Sequence, residues 1–198
     1  DEVGFYKTKS RERLGVVKSD TVDELSVGIY WQNRYDITPD LRSSFGLRYD
    51  YYDFDVHSLV EENYYAINLK DNGGTADDSL LSAKASLSYT VNDHLEVYGS
   101  AGQGFHSNDA RGTTIKRDVK DGSAMQAVEP LVQSIGGEIG LRSFYDKVIN
   151  TSIALWYLQL DSELIFVGDA GNTEPSGKSE RHGIELTTYY HINQNWTI

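Results

Sequence analysis

Apolar and polar residues alternate along this chain with a period of two, over runs long enough to cross a lipid bilayer. From Glu24 to Arg34 the odd positions hold Leu25, Val27, Ile29 and Trp31, and the even positions hold Ser26, Gly28, Tyr30 and Gln32. A turn sequence, Asp36-Ile37-Thr38-Pro39-Asp40, follows at once. Beyond it Leu41, Phe45, Leu47, Tyr49 and Tyr51 oppose Arg42, Ser44, Gly46, Arg48 and Asp50. Period two is the mark of a pleated strand, and two such runs joined by a turn predict a hairpin.

The pattern recurs from Leu81 to Tyr89, from Leu95 to about Phe105, through Ile135, Ile139 and Leu141, along the run Ile149 to Val167, and through Ile184, Leu186, Thr188 and Tyr190. With a weak first strand at Val3 to Tyr6, about eight strands are expected. Fourteen Tyr and 18 Gly against 3 Pro and 1 Met agree with strands and turns rather than packed helices. Connections alternate between short turns, near Thr38, Asp93, Asp146 and Asn193, and long polar loops. The long loops are expected over Lys9 to Thr21, His57 to Asp78, His106 to Leu131 and Gly168 to Glu180.

Alternation alone suits a soluble sandwich as well as a membrane barrel, because both carry one apolar and one polar face. Strand length separates them: crossing a bilayer takes ~9 to 11 residues, and these runs match that, whereas globular strands average ~5 to 6. Long loops confined to one end and short turns at the other are the habit of outer-membrane barrels. Trp31, Tyr35, Tyr49, Tyr89 and Tyr190 stand near strand ends, where interfacial aromatic girdles lie. The fold class expected is all-β, an antiparallel up-and-down transmembrane β-barrel, here a partial barrel of about eight strands.

Other classes fit poorly. A formal net charge of −12 repels a phosphate backbone, so no nucleic-acid partner is expected, and the basic cluster Lys7, Lys9, Arg11 and Arg13 reads as a solvated loop. The chain has no cysteine, and no apolar run approaches the ~18 residues of a transmembrane helix. The start Asp1-Glu2-Val3-Gly4 is not a signal peptide. The chain closes on Trp196-Thr197-Ile198 directly after a turn, which reads as the opening of a further ascending strand. A segment of one barrel domain over residues 1–198 is therefore expected, cut at its C-terminus and at its N-terminus.

Several segments resemble the barrel of TonB-dependent receptors. "GIYWQNRYDITPDLRSSFGLRYDYYDF", Gly28 to Phe54, is similar to the family's hairpin "YxQxxWxxTxxLxLxxGLRYD"; "LEVYGSAGQGF", Leu95 to Phe105, to "LYxSxGxGF"; "EPLVQSIGGEIGLR", Glu129 to Arg142, to "PExSxxxExGLR"; and "GKSERHGIELTTYY" to "xxxRxGxExxxxY". The order and spacing of these matches carry the likeness, which covers most of the chain. It implies a bacterial outer-membrane barrel of ~22 strands that takes up a scarce ligand such as a siderophore–iron or other metal chelate. It also implies outer-membrane lipid around the barrel, a plug domain of the same receptor, absent from this sequence, and the TonB complex, reached through an N-terminal part also absent here. A small self-contained structural or adhesive outer-membrane barrel is the second reading, since eight strands can close, and a soluble β-sandwich binding module is the third.

Candidate site residues follow from parity and loop position. Arg42, Arg48, Lys84, Glu138, Arg142, Arg181 and Glu185 fall on the polar face, expected to line the lumen or meet the plug. Glu138 with Arg142, and Arg181 with Glu185, are each four apart on one strand face and are candidates for ion-pair ladders, although solvated cross-strand pairing worth ~0.2 to 1 kcal/mol is the plainer account. His106, Asn108, Asp109, Arg111 and His182 sit at strand-to-loop borders on the external side and are candidates for facing a ligand, against the plainer account of a polar loop without a role. His57, His94, His106, His182 and His191 have no spacing that builds a metal site. "ELIFVGDAGNTEPSGKSE" lacks the Gly-Lys-Ser/Thr ending of a phosphate loop, and no Ser, His and Asp set has motif support, so neither a cofactor nor an enzyme is expected.

Overall fold

The computed structural model describes residues 1–145, 148–167, 172–193 and 195–198, with backbone only for 163–167 and 172–176. Its main sheet is antiparallel and, among the described residues, nine-stranded. The order follows the chain: β1 (Glu2–Lys9), β2 (Glu12–Asp36), β3 (Leu41–Ser58), β4 (Gly74–Asn92), β5 (Leu95–Ser107), β6 (Leu131–Tyr145), β7 (Ile149–Leu160), β10 (Ser179–Asn193) and the two-residue β11 (Trp196–Thr197). A separate hairpin pairs β8 (Glu163–Val167) with β9 (Asn172–Ser176). No described helix is long and apolar enough to cross a membrane. The partial up-and-down barrel wall expected from the alternation is present, with eight longer strands and the short β11.

Register converts the period-two pattern into two faces. Leu87, Gly99, Ile139, Leu155 and Ile184 form one row across five strands. Their face stays exposed, at 59% for Ile139 and 71% for Ile184. So large an uncovered apolar band has no place in water and suits lipid tails. Trp31 and Phe45 meet edge to face on this side, 6.0 Å apart.

Three stretches differ from expectation, among them the long loop expected over Gly168 to Glu180, in which Asn172–Ser176 form β9. Residues Lys9 to Thr21 do not form a long loop: Ser10 and Arg11, with φ of 50° and 70°, make a two-residue turn between β1 and β2. Two successive positive φ values supply the twist that a tight hairpin needs. Lys7, Lys9 and Arg13 of the basic cluster are thereby drawn onto paired strands, with Arg11 in the turn, and the Arg13 guanidinium lies 4.3 Å from the centre of the Tyr6 ring. The 25 residues of β2 extend to ~80 Å at ~3.3 Å each, so its first half projects far beyond the ~30 Å hydrocarbon layer. The run Ile149 to Val167 breaks at Asp161-Ser162 into β7 and β8. The turns expected at Asp146-Lys147 and Gln194, and residues 168–171 of the last expected long loop, lie outside the described residues.

Burial concentrates at the end of the long loops. Phe54, Val56 and Ala110 form a cluster flanked by Val22 and Tyr52, and Val60, Leu69, Ile115, Val119, Leu131 and Val132 are also buried. Phe54 and Val56 share the parity of Arg48 and Asp50, so the loop 108–130 packs onto the inner face of the wall.

Candidate functional site on the inner face

The inner face begins with the strand parity that left the apolar residues outside. Register aligns Ser86, Ser100, Glu138, Trp156 and Gly183 in one inner row, and Glu96, Arg142, Ser152 and Thr187 in another. Aromatic side chains here lie over glycines. A Cβ on Gly140 would come 2.7 Å from the Tyr98 hydroxyl and from the Ile153 carbonyl oxygen, and one on Gly183 would come 2.9 Å from the Trp156 ring.

Several charges on this face are paired across strands or over short spans. Arg142 donates to Glu96 at 2.9 Å while its guanidinium lies 3.9 Å from the centre of the Tyr98 ring. Arg48 grips Asp50 through three hydrogen bonds of 2.7 to 2.9 Å, and Arg42 donates to Asp36 at 3.0 Å. Glu138 accepts from Ser100 at 3.5 Å rather than from Arg142. Residues four apart on a strand are separated by ~13 Å, too far for Glu138 to pair directly with Arg142, or Arg181 with Glu185, the two candidates for ion-pair ladders. Glu185 accepts instead from Thr187 at 3.4 Å.

Above the wall, the external-loop candidates are tied into packing. Asn108 is buried, and its amide donates to the Glu129 carbonyl at 2.6 Å, closing the base of the loop 108–130. Asp109 caps the single helical turn α1 (Ala110–Thr113), accepting from the Arg111 backbone N–H at 2.9 Å while its carboxylate pairs with the Arg111 guanidinium. Lys18 and Asp20 of β2 add a second pair at 3.5 Å, and all four charges interact. Burial pushes the Lys18 ammonium below its ordinary pKa, against the pull of Asp20. Burial also works against an ionised Asp109, but hydrogen bonds from Arg111 outweigh it and hold the carboxyl below its usual range. His106 stands at the inner-face position opposite Val132. His182 does not join this group: it has the parity of Ile184 and Leu186, which places it on the outer face.

Two asparagines missed in the sequence organise the loops. The Asn63 amide donates to the carbonyls of Val17 at 3.1 Å and Val119 at 2.6 Å, while its oxygen accepts from the backbone of Tyr65 and Ile67. Asn72 does the same for Lys116 and Arg117, receiving their N–H groups at 3.0 and 2.8 Å. Only spacing from the loop ends could have marked them, since Asn is ordinary in loops.

Beneath this floor the wall forks. β4 pairs with β5 over Lys84–Asn92, but Gly74–Ala83 pair only with β3 among the described residues. The upper part of β5 leans inward, so that Phe105 meets Tyr52 edge to face at 5.8 Å and Gln103 accepts from the Ala83 N–H at 3.3 Å. A cleft of about 410 Å3 opens at the fork, with Tyr30, Gln32, Arg48, Ser82 and Lys84 on one side and Gln103 to Phe105 on the other. A neighbouring trough of about 560 Å3 continues downward past Arg34 and Lys84 over a floor of Ser and Gly.

A family model described as TonB dependent receptor-like, beta-barrel, matches residues 4–198. Among solved structures, the ferric yersiniabactin uptake receptor FyuA from Yersinia pestis is similar to 99% of this chain at 16% identity, with a TM-score of 0.72. The alcaligin outer-membrane receptor FauA from Bordetella pertussis is similar to 90% at 21% identity, TM-score 0.60, and the copper transporter OprC to 90% at 16% identity, TM-score 0.66. The chain covers 28%, 29% and 28% of those three proteins, so it spans under a third of each.

Proposed function

Since this chain belongs to the TonB-dependent receptor β-barrel family, we propose that it is part of the wall of a bacterial outer-membrane receptor that draws a scarce metal chelate, such as siderophore-bound iron, into the periplasm. The barrel wall of such a receptor forms a conduit across the outer membrane. In this reading residues 1–198 are one stretch of a single barrel domain, its outer row meets lipid, and its inner charges meet a plug domain and the solvent around it. Energy reaches the plug through the TonB complex, and the external loops meet the ligand first.

One observation carries the reading: the two faces of the same strands have opposite chemistry over the depth of a bilayer. Ile139 and Ile184 are exposed on one side, while Glu96 and Arg142 pair on the other. Neither the iron receptors nor the copper transporter among the similar structures fixes the metal, because likeness at this identity extends to the fold alone.

The test is uptake by the receptor that carries this chain. Under iron limitation, cells expressing it should accumulate radiolabelled iron from at least one member of a siderophore panel, and deletion of TonB should abolish accumulation. Equal accumulation with and without the receptor across iron, copper and other metal chelates overturns the proposal.

A further inference from the structure

We infer that the dipeptide Asn72-Gly73 is a self-modification site: it deamidates through its own backbone when the loop 108–130 lifts from the loop after β3, and the product keeps the two loops apart. The inference goes beyond uptake and involves no ligand.

Two packing demands put these residues side by side. Asn72 ends the 3-10 turn Lys70–Asn72 and is 3% exposed. Its Nδ2 donates to the Arg117 carbonyl at 2.9 Å, its Oδ1 accepts from the Lys116 and Arg117 N–H groups, and its own carbonyl accepts from the Thr114 hydroxyl at 2.8 Å. A carboxamide donates and accepts at once, which an aspartate of the same size cannot do. Both polar atoms of this side chain are thus paired within the described residues. Gly73 lies against β3, where a Cβ would come 2.8 Å from the Val56 carbonyl oxygen. The loop contact demands asparagine and the close approach demands glycine, and together they make the only Asn-Gly step in the sequence.

A glycine after asparagine leaves the peptide nitrogen open to the side-chain carbonyl carbon, since no Cβ stands in the way. The Gly73 nitrogen gives its proton to solvent and attacks Cγ of Asn72. The new N–Cγ bond closes a cyclic imide, the Cγ–Nδ2 bond breaks, and Nδ2 takes up a proton and leaves as ammonia. Water then opens the imide at one of its two carbonyls. Opening at Cγ leaves aspartate at position 72, and opening at the backbone carbonyl leaves isoaspartate, with the main chain rerouted through the side-chain carbons.

Docking blocks the first step. The Gly73 N–H donates to the Lys70 carbonyl at 3.2 Å, and three hydrogen bonds hold the Asn72 carboxamide toward the loop 108–130. Ring closure requires the nitrogen and Cγ to swing together, which breaks these bonds. Lifting the loop 108–130 removes the three on the carboxamide at once, and the one from Thr114 with them. Neither product restores the dock. A carboxylate has no proton for the Arg117 carbonyl, so two acceptors face each other where a donor and an acceptor met, and a buried acceptor without a donor favours the undocked loop. Isoaspartate also moves the carboxylate away from the Lys116 and Arg117 N–H groups.

The experiment holds the whole receptor in detergent micelles in mildly alkaline buffer and follows the mass of the peptide containing Asn72, with isoaspartate identified by enzymatic methylation. A synthetic peptide of residues 68–76 under the same conditions is the reference. Folded wild type should convert at least about tenfold more slowly than the peptide, because the reaction tracks the population of the open form. Conversion should speed up about tenfold in Asn63→Ala, and in wild type at a urea concentration that raises amide exchange in 108–130 but leaves β5 to β7 protected. Asn72→Asp should raise amide exchange in 108–130 while heat-modifiable gel mobility shows the barrel still folded. Folded wild type converting as fast as the peptide overturns the inference, as does a urea-opened loop that converts no faster. Wild-type exchange in Asn72→Asp overturns the claim that the product keeps the loops apart.

Discussion

The side-chain amide of Asn63, in the loop between β3 and β4, donates at 2.6 Å to the carbonyl oxygen of Val119, in the loop between β5 and β6. Both residues are buried, so two segments 56 positions apart are held as one lid over the inner face. The same amide also reaches β2, donating to the Val17 carbonyl at 3.1 Å.

Replacing Asn63 by Ala removes four hydrogen bonds and leaves two carbonyls without their donor. At about 1 kcal/mol each the local loss is ~2 to 4 kcal/mol. Amide exchange should rise throughout 59–73 and 108–130 while the strands β5 to β7 keep their protection. Unchanged exchange in the second loop would show that Asn63 does not couple the two.

Lys18 and Asp20 form a pair whose partners are 10% and 1% exposed at the side chain. Lys18→Met strands a buried carboxylate and should cost ~3 to 5 kcal/mol, whereas Lys18→Met with Asp20→Leu should recover most of that loss. Refolding titrations of the two variants decide it. A double variant as unstable as the single one would mean the pair is not the source of the cost.

Asp109 gives the loop 108–130 a dependence on acid. Its folded pKa lies below the ordinary 3.8, so the stabilisation is complete above that value and disappears as the pH falls through the lower, folded one. Spin labels at Glu61 and Lys120 should report a constant distance from pH 8 to 5 and a broadening distribution below 3.8. Asp109→Asn should be broad already at pH 7 and little changed by acid.

Ile139 tests which face meets lipid. Ile139→Arg should destabilise the barrel by ~2 to 4 kcal/mol near the bilayer midplane, measured by refolding into lipid vesicles. Gly140→Ala, one residue away on the inner face, should instead cost ~1 to 3 kcal/mol through crowding against Ile153 and Tyr98. Its effect should persist in thin and thick bilayers alike, while that of Ile139→Arg should vary with them.

The two faces of each strand, the antiparallel order and the loops after β3 and β5 were legible in the residues, because side-chain direction in a strand depends only on parity and turn residues act locally. Parity placed Arg42, Arg48, Lys84, Glu138, Arg142, Arg181 and Glu185 on the polar face, but it says nothing of partners. Partners depend on register and on how far neighbouring strands stay together. Tertiary structure therefore decided that Arg142 pairs with Glu96 and that Asn63 ties the loop after β3 to Val119, whereas the outward side of His182 was already given by its parity with Ile184 and Leu186. Tertiary structure also decided that β5 leaves β4 at Lys84, the departure that creates the cleft. Such contacts join residues dozens of positions apart, and no local period encodes the distance at which two strands cease to share hydrogen bonds.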